Sequence, residues 1–407
     1  MINIIGLGYI GLPTALMLAA HGVEVTGTDY NEKLVETLNS GHTTFKEDGL
    51  DELFESAVAA GIKFSKEYQS TDMYIVAVPT PYEKKSKKIN ADYVVAAIRQ
   101  IMKVCLKSSV VIIESTVSPG TIHKFVRPAI EENGFVIGED IHLVHAPERI
   151  IPGNMIYELK HNSRTIGADS PEVAERVRAV YSSFCRGEIV ATDIRTAEMT
   201  KVVENTYRDI NIAYANELAK ICRSDGMDVY EIIRIANQHP RVNILSPGPG
   251  VGGHCISVDP WFLVGDYPGL TNIIYTARKI NDSMPEFVLL RIRRIMEETG
   301  LKDVSRVGIY GITYKENVDD VRESPTLQML EAMENHLCAS AVKCYDPMVK
   351  MDITENQYHD LDAFLNEVDM VVIMTGHDEI RQNMHKLENK IVFDTRNVCD
   401  LDGVYRL

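Results

Sequence analysis

A glycine-rich turn at the start of the chain is the feature that most restricts its fold. Residues 2–6 (INIIG) form an apolar run, residues 6–11 (GLGYIG) follow the pattern G-x-G-x-x-G, and residues 12–21 have helical composition. Residues 23–29 (VEVTGTD) then alternate towards an acidic end. A strand, a tight turn, a helix and a second strand in this order predict the opening of a doubly wound parallel sheet.

The glycines of this turn have separate physical roles, and an acid follows them at a useful distance. Gly6 permits the bend, Gly8 lets the backbone approach a pyrophosphate, and Gly11 lets helix and strand pack closely. Asp29 stands 23 residues after Gly6, where a carboxylate accepts hydrogen bonds from ribose hydroxyls and repels a 2′-phosphate. We therefore predict NAD as the cofactor, in preference to NADP; the alternative is a glycine turn without a ligand. The predicted contacts in this turn are Gly6, Gly8, Tyr9, Ile10, Gly11 and Asp29.

Two further loops are expected beside the same cofactor crevice. Strand-like runs at residues 72–78 and 110–114 are followed by the loops 78–81 (VPTP) and 115–121 (STVSPGT). Loops at the carboxyl ends of parallel strands line the ligand crevice of such a sheet. Thr80 and Thr116 are therefore candidate cofactor contacts, and ordinary structural turns are the alternative.

The rest of the chain predicts an α/β fold with two Rossmann-like doubly wound domains joined by a central helical domain. Residues 193–224 contain no Gly or Pro and carry apolar residues at helical spacing, which indicates a long spine helix. In the last hundred residues, apolar strands ending in polar turns repeat the order of the first domain, and Asp346 takes the place of Asp29. We predict an NAD-binding domain at 1–190, a central helical and dimerisation domain at 191–295, and a nucleotide-binding domain at 296–407.

Composition excludes several classes of protein. The 407-residue chain has a net charge of −16 and no Lys/Arg-rich run, which argues against nucleic acid as a partner. No apolar run is long enough to span a membrane, and the N-terminus lacks a basic segment of the signal-peptide kind. An odd number of scattered cysteines without a C-x-x-C pair is typical of reduced thiols in the cytoplasm. No histidine spacing suits a metal, so none is predicted. The cysteines are Cys105, Cys185, Cys222, Cys255, Cys338, Cys344 and Cys399.

One cysteine lies in a setting that suits covalent catalysis. Cys255 directly follows the glycine loop of residues 250–254 (GVGGH), and Asp259 lies four residues further on. A thiolate can add to an aldehyde, and the resulting thiohemiacetal can lose a hydride to become a thioester that water hydrolyses. Asp259 would orient or activate that water. The alternative is a small hydrophobic core residue.

Polar residues elsewhere can support such chemistry. Lys201, Asn205 and Arg208 stand at i, i+4 and i+7 of the long predicted helix and so share one face, where an ammonium and an amide can stabilise an oxyanion. A solvated polar face is the alternative. Glu148, in the segment 145–149 (HAPER), lies just after a predicted strand and can hold a water or a sugar hydroxyl; a surface ion pair with Arg149 is the alternative.

Taken in order, these segments resemble the UDP-glucose/GDP-mannose dehydrogenase family over nearly the whole chain. The resemblance rests on GLGYIGLP, VPTP, STVSPGT, APER, the helix with Lys201 and Asn205, GVGGHC, GITYK (311–315), DDVRESP (319–325) and FDTRN (393–397). It implies NAD, a UDP-sugar substrate, a homodimer or higher homo-oligomer, and a product used for a surface polysaccharide.

The resemblance also implies individual roles. Cys255 would be the nucleophile, Lys201 the acid–base or oxyanion residue supported by Asn205, while Asp259, Glu148 and Thr116 would manage water and protons. Arg322 would reach NAD. The residues expected to bind the sugar nucleotide are Arg149, Ile150, Lys201, Asn205, Arg208, His239, Arg241, Gly252, Tyr314, Lys315 and Arg396, with the stretch 239–241 supplied by a partner subunit.

Within the family, residues 239–262 look most like the branch that oxidises UDP-N-acetyl-D-mannosamine. Val258 stands where UDP-glucose dehydrogenases carry Lys, and His254 stands where they carry Ser. The predicted reaction is a four-electron oxidation at C6 with two NAD per turnover. UDP-N-acetylglucosamine, UDP-glucose and GDP-mannose remain alternative substrates. A two-electron hydroxyacid dehydrogenase and a non-catalytic NAD-binding regulator remain alternative functions.

Overall fold

The structure is a computed structural model that describes residues 1–253, 255–334 and 342–407. Three sequence observations therefore lie outside it: Cys338, His254, and the first residue of the predicted strand at 341–347. Across the described ranges, no helix is both long and apolar enough to cross a lipid bilayer.

The described chain divides into two compact units. The N-terminal unit comprises Met1–Glu204 and Trp261–Pro268, and the C-terminal unit comprises Asn205–Pro260 and Gly269–Leu407. The chain passes from one unit to the other three times. The division into three domains that the sequence predicts, with its two boundaries, stays a prediction.

The N-terminal unit is built on an eight-stranded sheet of order β3-β2-β1-β4-β5-β6-β7-β8. Every neighbouring pair is parallel except β6 and β7, which are antiparallel. Helices cover the sheet, so central strands such as MYIV and SVVII are buried along their whole length. The strands are β1 (Ile2–Ile5), β2 (Val25–Thr28), β3 (Lys63–Ser65), β4 (Met73–Val76), β5 (Ser109–Ile113), β6 (Ile141–His145), β7 (Arg164–Ala168) and β8 (Ile189–Thr192).

The helices of this unit begin where local capping favours them. Asn31 accepts a hydrogen bond from the Leu34 N–H at the start of α2, and Ser170 caps α7, whose first residue is Pro171. A π-helical turn at Ile122–Val126 precedes α5. The helices are α1 (Gly11–Ala20), α2 (Glu32–Asn39), α3 (Leu50–Ala59), α4 (Asp92–Ile101), α5 (Arg127–Glu131), α6 (Met155–His161) and α7 (Pro171–Tyr181).

The predicted spine helix is confirmed as α8, Ile194–Asp225, which has 32 residues and joins the two units. Its composition explains its length, because no Gly or Pro interrupts the run. The sequence-predicted strands of the first domain are also confirmed, within two residues at each end.

The C-terminal unit contains the predicted second Rossmann-like sheet. The six strands that the structure describes in it are all parallel and have the order β11-β10-β9-β12-β13-β14, which repeats the order of the first six strands of the N-terminal sheet. The strands are β9 (Val307–Tyr310), β10 (Lys343–Tyr345), β11 (Gln357–Tyr358), β12 (Met370–Ile373), β13 (Ile391–Asp394) and β14 (Tyr405–Arg406). The remaining α-helices of the described chain, of which α10 lies mostly in the N-terminal unit, are α9 (Val229–Ala236), α10 (Asp259–Asp266), α11 (Asn272–Asp282), α12 (Met284–Thr299), α13 (Pro325–Glu334), α14 (Leu361–Asn366) and α15 (Asp378–Gln382).

The turn after the first strand is built in the same way in both sheets. Gly6 and Gly311 have φ angles of +92° and +96°. A Cβ atom on Gly6 would lie 2.5 Å from the Ala77 carbonyl oxygen, and one on Gly311 would lie 2.6 Å from the Thr375 backbone nitrogen. Each turn therefore needs glycine for its backbone angle and for the close approach of the neighbouring loop.

Candidate active site

The turn between β1 and α1 has room for a pyrophosphate. A Cβ on Gly8 would meet no atom within 4 Å, whereas one on Gly11 would lie 1.9 Å from the Gly6 carbonyl oxygen. Gly11 is thus required by packing, while Gly8 faces open space at the N-terminus of α1. Ile10 provides no side-chain cap there, which suits phosphate binding by the leading N–H groups.

Asp29 closes this turn as the sequence predicts. Its Oδ2 accepts a hydrogen bond from the Leu7 N–H at 2.8 Å, and its Oδ1 accepts one from the Asn31 N–H at 2.9 Å. The side chain stays 9% exposed at the carboxyl end of β2. A carboxylate that is fixed and still reachable fits the recognition of a ribose, so these residues fit NAD.

The corresponding acid of the second sheet is used differently. Asp346 Oδ2 accepts hydrogen bonds from the Ile312 and Thr313 N–H groups at 2.6 and 2.9 Å, and it also lies 3.2 Å from His377 Nε2. Burial acts to raise the pKa of Asp346, but the interactions with His377 and the backbone hydrogen bonds from Thr313 and Met348 together outweigh it, and the pKa lies below its ordinary value. Asp346 is 1% exposed, so it serves the turn and offers nothing to a ribose.

The two predicted crevice loops meet at the carboxyl ends of β4 and β5. The Thr80 hydroxyl donates to the Thr116 carbonyl at 2.6 Å, and the Ser115 hydroxyl donates to the Val78 carbonyl at 2.7 Å. These bonds fix the loops relative to each other. The Thr80 side chain is used within the loops, and the cofactor contacts of Thr80 and Thr116 stay a prediction.

Glu148 is a buried carboxylate with both oxygens engaged. Oε1 accepts the Arg149 N–H at 2.6 Å, and Oε2 pairs with Arg164. The Arg149 guanidinium instead bonds Glu204 Oε1 at 2.5 Å and the Ser163 carbonyl at 2.7 Å. The two side chains therefore do not form the surface ion pair that we considered as an alternative.

Two charged residues beside Glu148 had no role in the sequence interpretation. Arg164 begins β7 and Glu114 directly follows β5, and their exposures are 4% and 1%. The sequence feature that could have identified Glu114 is its position as the acidic residue that ends the apolar run VVIIE. Ile150, a predicted substrate contact, packs into the hydrophobic core of this unit.

On α8, two of the three predicted polar residues are buried and the third is partly buried. Lys201 and Asn205 are each 6% exposed, and Arg208 is half-buried. Asn205 Nδ2 donates to Asp259 Oδ2 at 2.6 Å, which brings together two residues that the sequence placed 54 positions apart.

Cys255 is the one exposed cysteine among those that the structure describes. The Val258 and Asp259 N–H groups donate to its carbonyl at 3.2 and 2.9 Å. The chain thus turns directly from Cys255 into α10, which begins at Asp259. This places an accessible thiol one turn from the carboxylate that Asn205 holds.

The glycines before Cys255 are explained by packing within the C-terminal unit. Cβ atoms on Gly252 and Gly253 would lie 2.5 and 2.9 Å from Tyr314 side-chain atoms, and one on Gly250 would lie 3.0 Å from Pro325. The Gly253 N–H also donates to the Arg322 carbonyl at 2.9 Å. The segments that the resemblance grouped, GVGGHC, GITYK and DDVRESP, therefore touch.

The predicted basic contacts for the sugar nucleotide have varied surroundings. Arg396 donates to the Met374 carbonyl at 2.8 Å, and burial lowers the pKa of its guanidinium. Arg322 forms a fork with Asp320, with Nη2 to Oδ2 at 2.6 Å. Lys315 is half-buried, whereas His239 and Arg241 are exposed. The roles assigned to these residues stay predictions.

We expect Gly8→Ala to weaken NAD binding at least tenfold, or about 1.4 kcal/mol, without loss of stability. The new methyl group meets only open space in the protein but would occupy the room for the pyrophosphate. Gly22→Ala is the matched control: it is equally open, but its φ of +85° predicts a loss of about 1 kcal/mol in stability with unchanged NAD affinity. Calorimetric NAD titration and thermal melting measure both; unchanged affinity in Gly8→Ala would contradict this placement of the cofactor.

Comparison with known proteins agrees with this arrangement along the whole chain. Residues 1–185 match the NAD binding domain of the UDP-glucose/GDP-mannose dehydrogenase family, residues 195–283 match its central domain, and residues 308–401 match its UDP binding domain. A UDP-N-acetyl-D-mannosamine dehydrogenase of Methanococcus maripaludis is 41% identical, with 98% of this chain and 93% of that protein covered.

Two other relatives show how the likeness extends. An NDP-N-acetyl-D-galactosaminuronic acid dehydrogenase of Ralstonia nicotianae is 39% identical, covering 98% of this chain and 96% of its own length. The solved UDP-N-acetyl-mannosamine dehydrogenase Cap5O of Staphylococcus aureus is 41% identical with a TM-score of 0.89, covering 100% of this chain and 97% of its own. The chain therefore belongs to the UDP-glucose/GDP-mannose dehydrogenase family and is an NAD-dependent nucleotide-sugar dehydrogenase.

Proposed function

We propose that this dehydrogenase oxidises UDP-N-acetyl-D-mannosamine at C6 to UDP-N-acetyl-D-mannosaminuronate, with two NAD per turnover and a covalent intermediate on Cys255. The observation that carries the proposal is the exposed thiol of Cys255 one turn before the Asp259–Asn205 pair. A two-electron alcohol dehydrogenase would have no use for a nucleophile in that position.

The chemistry requires two hydride removals with an addition between them. In the first, the C6 hydroxyl loses a proton to a base and C6 loses a hydride, which leaves an aldehyde. The Cys255 thiolate then adds to the aldehyde carbon to give a thiohemiacetal, and loss of a second hydride gives a thioester. Water attacks the thioester, the carbon–sulfur bond breaks, and the carboxylate and the thiol are released. The turn with Gly6, Gly8 and Gly11, together with Asp29, would hold NAD, and a separate NAD molecule would supply the acceptor for each of the two hydrides.

The chain's own residues supply the proton transfers and charge stabilisation. Lys201, which is buried on α8, stabilises the oxyanion or transfers its proton, and Asn205 supports it from the next turn. Asp259 orients the water, held in place by the amide of Asn205. Glu148 and Thr116 complete the handling of water and protons.

NAD binds the N-terminal unit, and the UDP group binds the C-terminal unit in this proposal. The second sheet has the fold of a nucleotide-binding domain, but its acidic residue is not available to bind a ribose. Asp346 instead accepts hydrogen bonds from the backbone of the turn that follows β9. Tyr314, Lys315 and Arg396, together with Gly252, are then the contacts for the sugar nucleotide, and the contact of Arg322 with NAD stays the expectation that the family resemblance gives. A UDP-sugar carries two phosphate charges, which basic side chains of this kind bind.

The choice of sugar is supported by relatives. Proteins named for UDP-N-acetyl-D-mannosamine are 41% identical to this chain over nearly its whole length. The relative named for N-acetylgalactosaminuronic acid is 39% identical, so another 2-acetamido sugar is the second candidate. Because Cys255 requires a reduced thiol, the proposal places the reaction in the cytoplasm.

We expect two NADH for each UDP-N-acetyl-D-mannosamine consumed. The measurement incubates the enzyme with NAD and a panel that also contains UDP-N-acetylglucosamine, UDP-N-acetylgalactosamine, UDP-glucose and GDP-mannose, and follows absorbance and product mass. A ratio of one NADH per sugar would favour a two-electron dehydrogenase. No turnover of any sugar would favour a non-catalytic regulator.

We expect Cys255→Ser to lose acid formation by a factor of 10³ or more, because an alcohol is a far weaker nucleophile than a thiolate at neutral pH. NAD affinity should stay within about twofold, since Cys255 lies outside the unit that holds the glycine turn. Cys105→Ser, at a half-buried thiol on the other unit, is the control and should keep full turnover. Full acid formation by Cys255→Ser would remove the covalent mechanism.

We further propose that the enzyme forms a homodimer through α8. Val203, Tyr207, Tyr214 and Ile221 share one face of this helix, and between 48% and 61% of each is exposed. A long apolar stripe of this kind is usual for an interface.

The double variant Tyr207→Glu/Tyr214→Glu is expected to halve the mass in solution, because it places charges on that stripe. Sedimentation equilibrium measures the mass. Tyr93→Glu, at a 48% exposed tyrosine on α4, is the control and should leave the mass unchanged. A monomeric wild-type protein, or an unchanged mass in the double variant, would disprove the interface.

A further inference from the structure

Glu148 belongs to a buried group of three charged residues in the N-terminal unit. Arg164 pairs with Glu148 Oε2, and its Nη1 lies 3.6 Å from Glu114 Oε1. The exposed fractions are 1% for Glu114, 4% for Arg164 and 6% for Glu148. We name these residues the carboxylate–arginine triad. Burying a charge that has no partner lowers the stability of a fold. A buried cluster of two acids with a single cation therefore needs a functional explanation.

The sheet topology explains how these residues meet. β6 and β7 are antiparallel with Val144 opposite Ala168 and His145 opposite Gly167. Extending this register beyond the hydrogen-bonded pairs puts Glu148 opposite Arg164. β5 is parallel to β6, so Glu114, which follows β5, lies at the same edge. The one antiparallel step in the sheet thus brings a cation to the carboxyl ends of two parallel strands.

Aromatic rings and a phenol hold the guanidinium and the second acid in place. The Arg164 guanidinium carbon lies 4.5 Å from the centre of the Tyr181 ring and 5.2 Å from that of Phe184. The Tyr181 hydroxyl donates to Glu114 Oε1 at 3.1 Å. Two aromatic rings at these distances restrict where the guanidinium can lie, and its position sets the direction from which it approaches Glu148.

The charge of the triad changes near neutral pH. Burial raises the pKa of Glu114 to about 7, with Arg164 opposing that rise and Glu148 adding to it. Below this pH Glu114 is protonated and neutral, so Arg164 forms an ion pair with Glu148 only. Above it the ionised Glu114 attracts the same guanidinium, so the two acids share one cation.

We propose that Arg164 is a positioning residue for Glu148 and that the ionisation of Glu114 regulates how firmly Arg164 holds it. The inference rests on the proposed role of Glu148 in handling water and protons. Arg164 touches neither the substrate nor the cofactor in this proposal. It acts by restricting the Glu148 carboxylate to one orientation. A small error in the orientation of such a group lowers the reaction rate by a large factor.

The first test replaces the planar fork by a point charge. Arg164→Lys should lower the single-turnover rate of NADH formation tenfold or more while KM for the nucleotide sugar and for NAD stays within about twofold. Arg291→Lys is the matched control, because Arg291 is also buried, lies over the Tyr405 ring and pairs with Glu298 at 3.1 Å, but in the other unit. It should lower the melting temperature without changing the rate.

The second test uses pH and does not depend on the folding of Arg164→Lys. Glu114→Gln keeps an acceptor for the Tyr181 hydroxyl and removes the charge. The ratio of its rate to that of the wild-type enzyme should be close to one at pH 6 and rise through a midpoint near pH 7, because only the wild-type protein then ionises at this position. A ratio that stays flat from pH 6 to 8.5 overturns the regulatory part.

A double variant separates this inference from the proposed function. If Arg164 acts through Glu148, then Glu148→Gln/Arg164→Lys should have the same residual rate as Glu148→Gln. Additive losses, or a normal rate in Arg164→Lys, overturn the positioning role alone. Full activity in Glu148→Gln overturns the proposed role of Glu148 itself, and the inference with it.

Discussion

In both sheets, one carboxylate ties the turn after the first strand to the end of the second strand. Asp29 accepts the Leu7 N–H, and Asp346 accepts the Ile312 and Thr313 N–H groups. The turn, the first strand and the adjoining crevice depend on that bond, because it satisfies backbone groups that would otherwise be unpaired where the chain bends. The same bond permits opposite uses. Asp29 stays partly exposed and can bind a ribose. Asp346 is buried, and its Oδ2 also accepts a hydrogen bond from the Thr313 hydroxyl and contacts His377.

Much of this arrangement could be predicted from the sequence because it depends on local patterns. Strand runs, the fingerprint of residues 6–11, the uninterrupted helix α8 and the repeat of acids at Asp29 and Asp346 are all readable along the chain. The order of the second sheet then follows from the repeat. The short strands β3, β11 and β14 carry too few residues for their period to be visible.

Other parts depend on contacts between distant residues, and no local pattern reveals them. The antiparallel step between β6 and β7 is one, and with it the meeting of Glu114, Glu148 and Arg164. The pairing of Arg149 with Glu204 in place of Glu148 is another. Gly252 shows a similar limit: its backbone packs against Tyr314 and Glu323, a constraint that the sequence does not reveal and that exists whether or not a ligand binds there, while its contact with the substrate stays a prediction.

The division of the chain has a consequence for its synthesis. Trp261–Pro268 belongs to the N-terminal unit although the chain first has to pass through α8 and α9. Lys87 lies 4.0 Å from the centre of the Trp261 ring, and Ser118 bonds Asp266, so this late segment completes an early unit. A ribosome that has released β8 has not yet supplied these contacts, and the N-terminal unit finishes folding only after about seventy more residues emerge. For the same reason, neither unit exists as an uninterrupted stretch that a single cut could isolate.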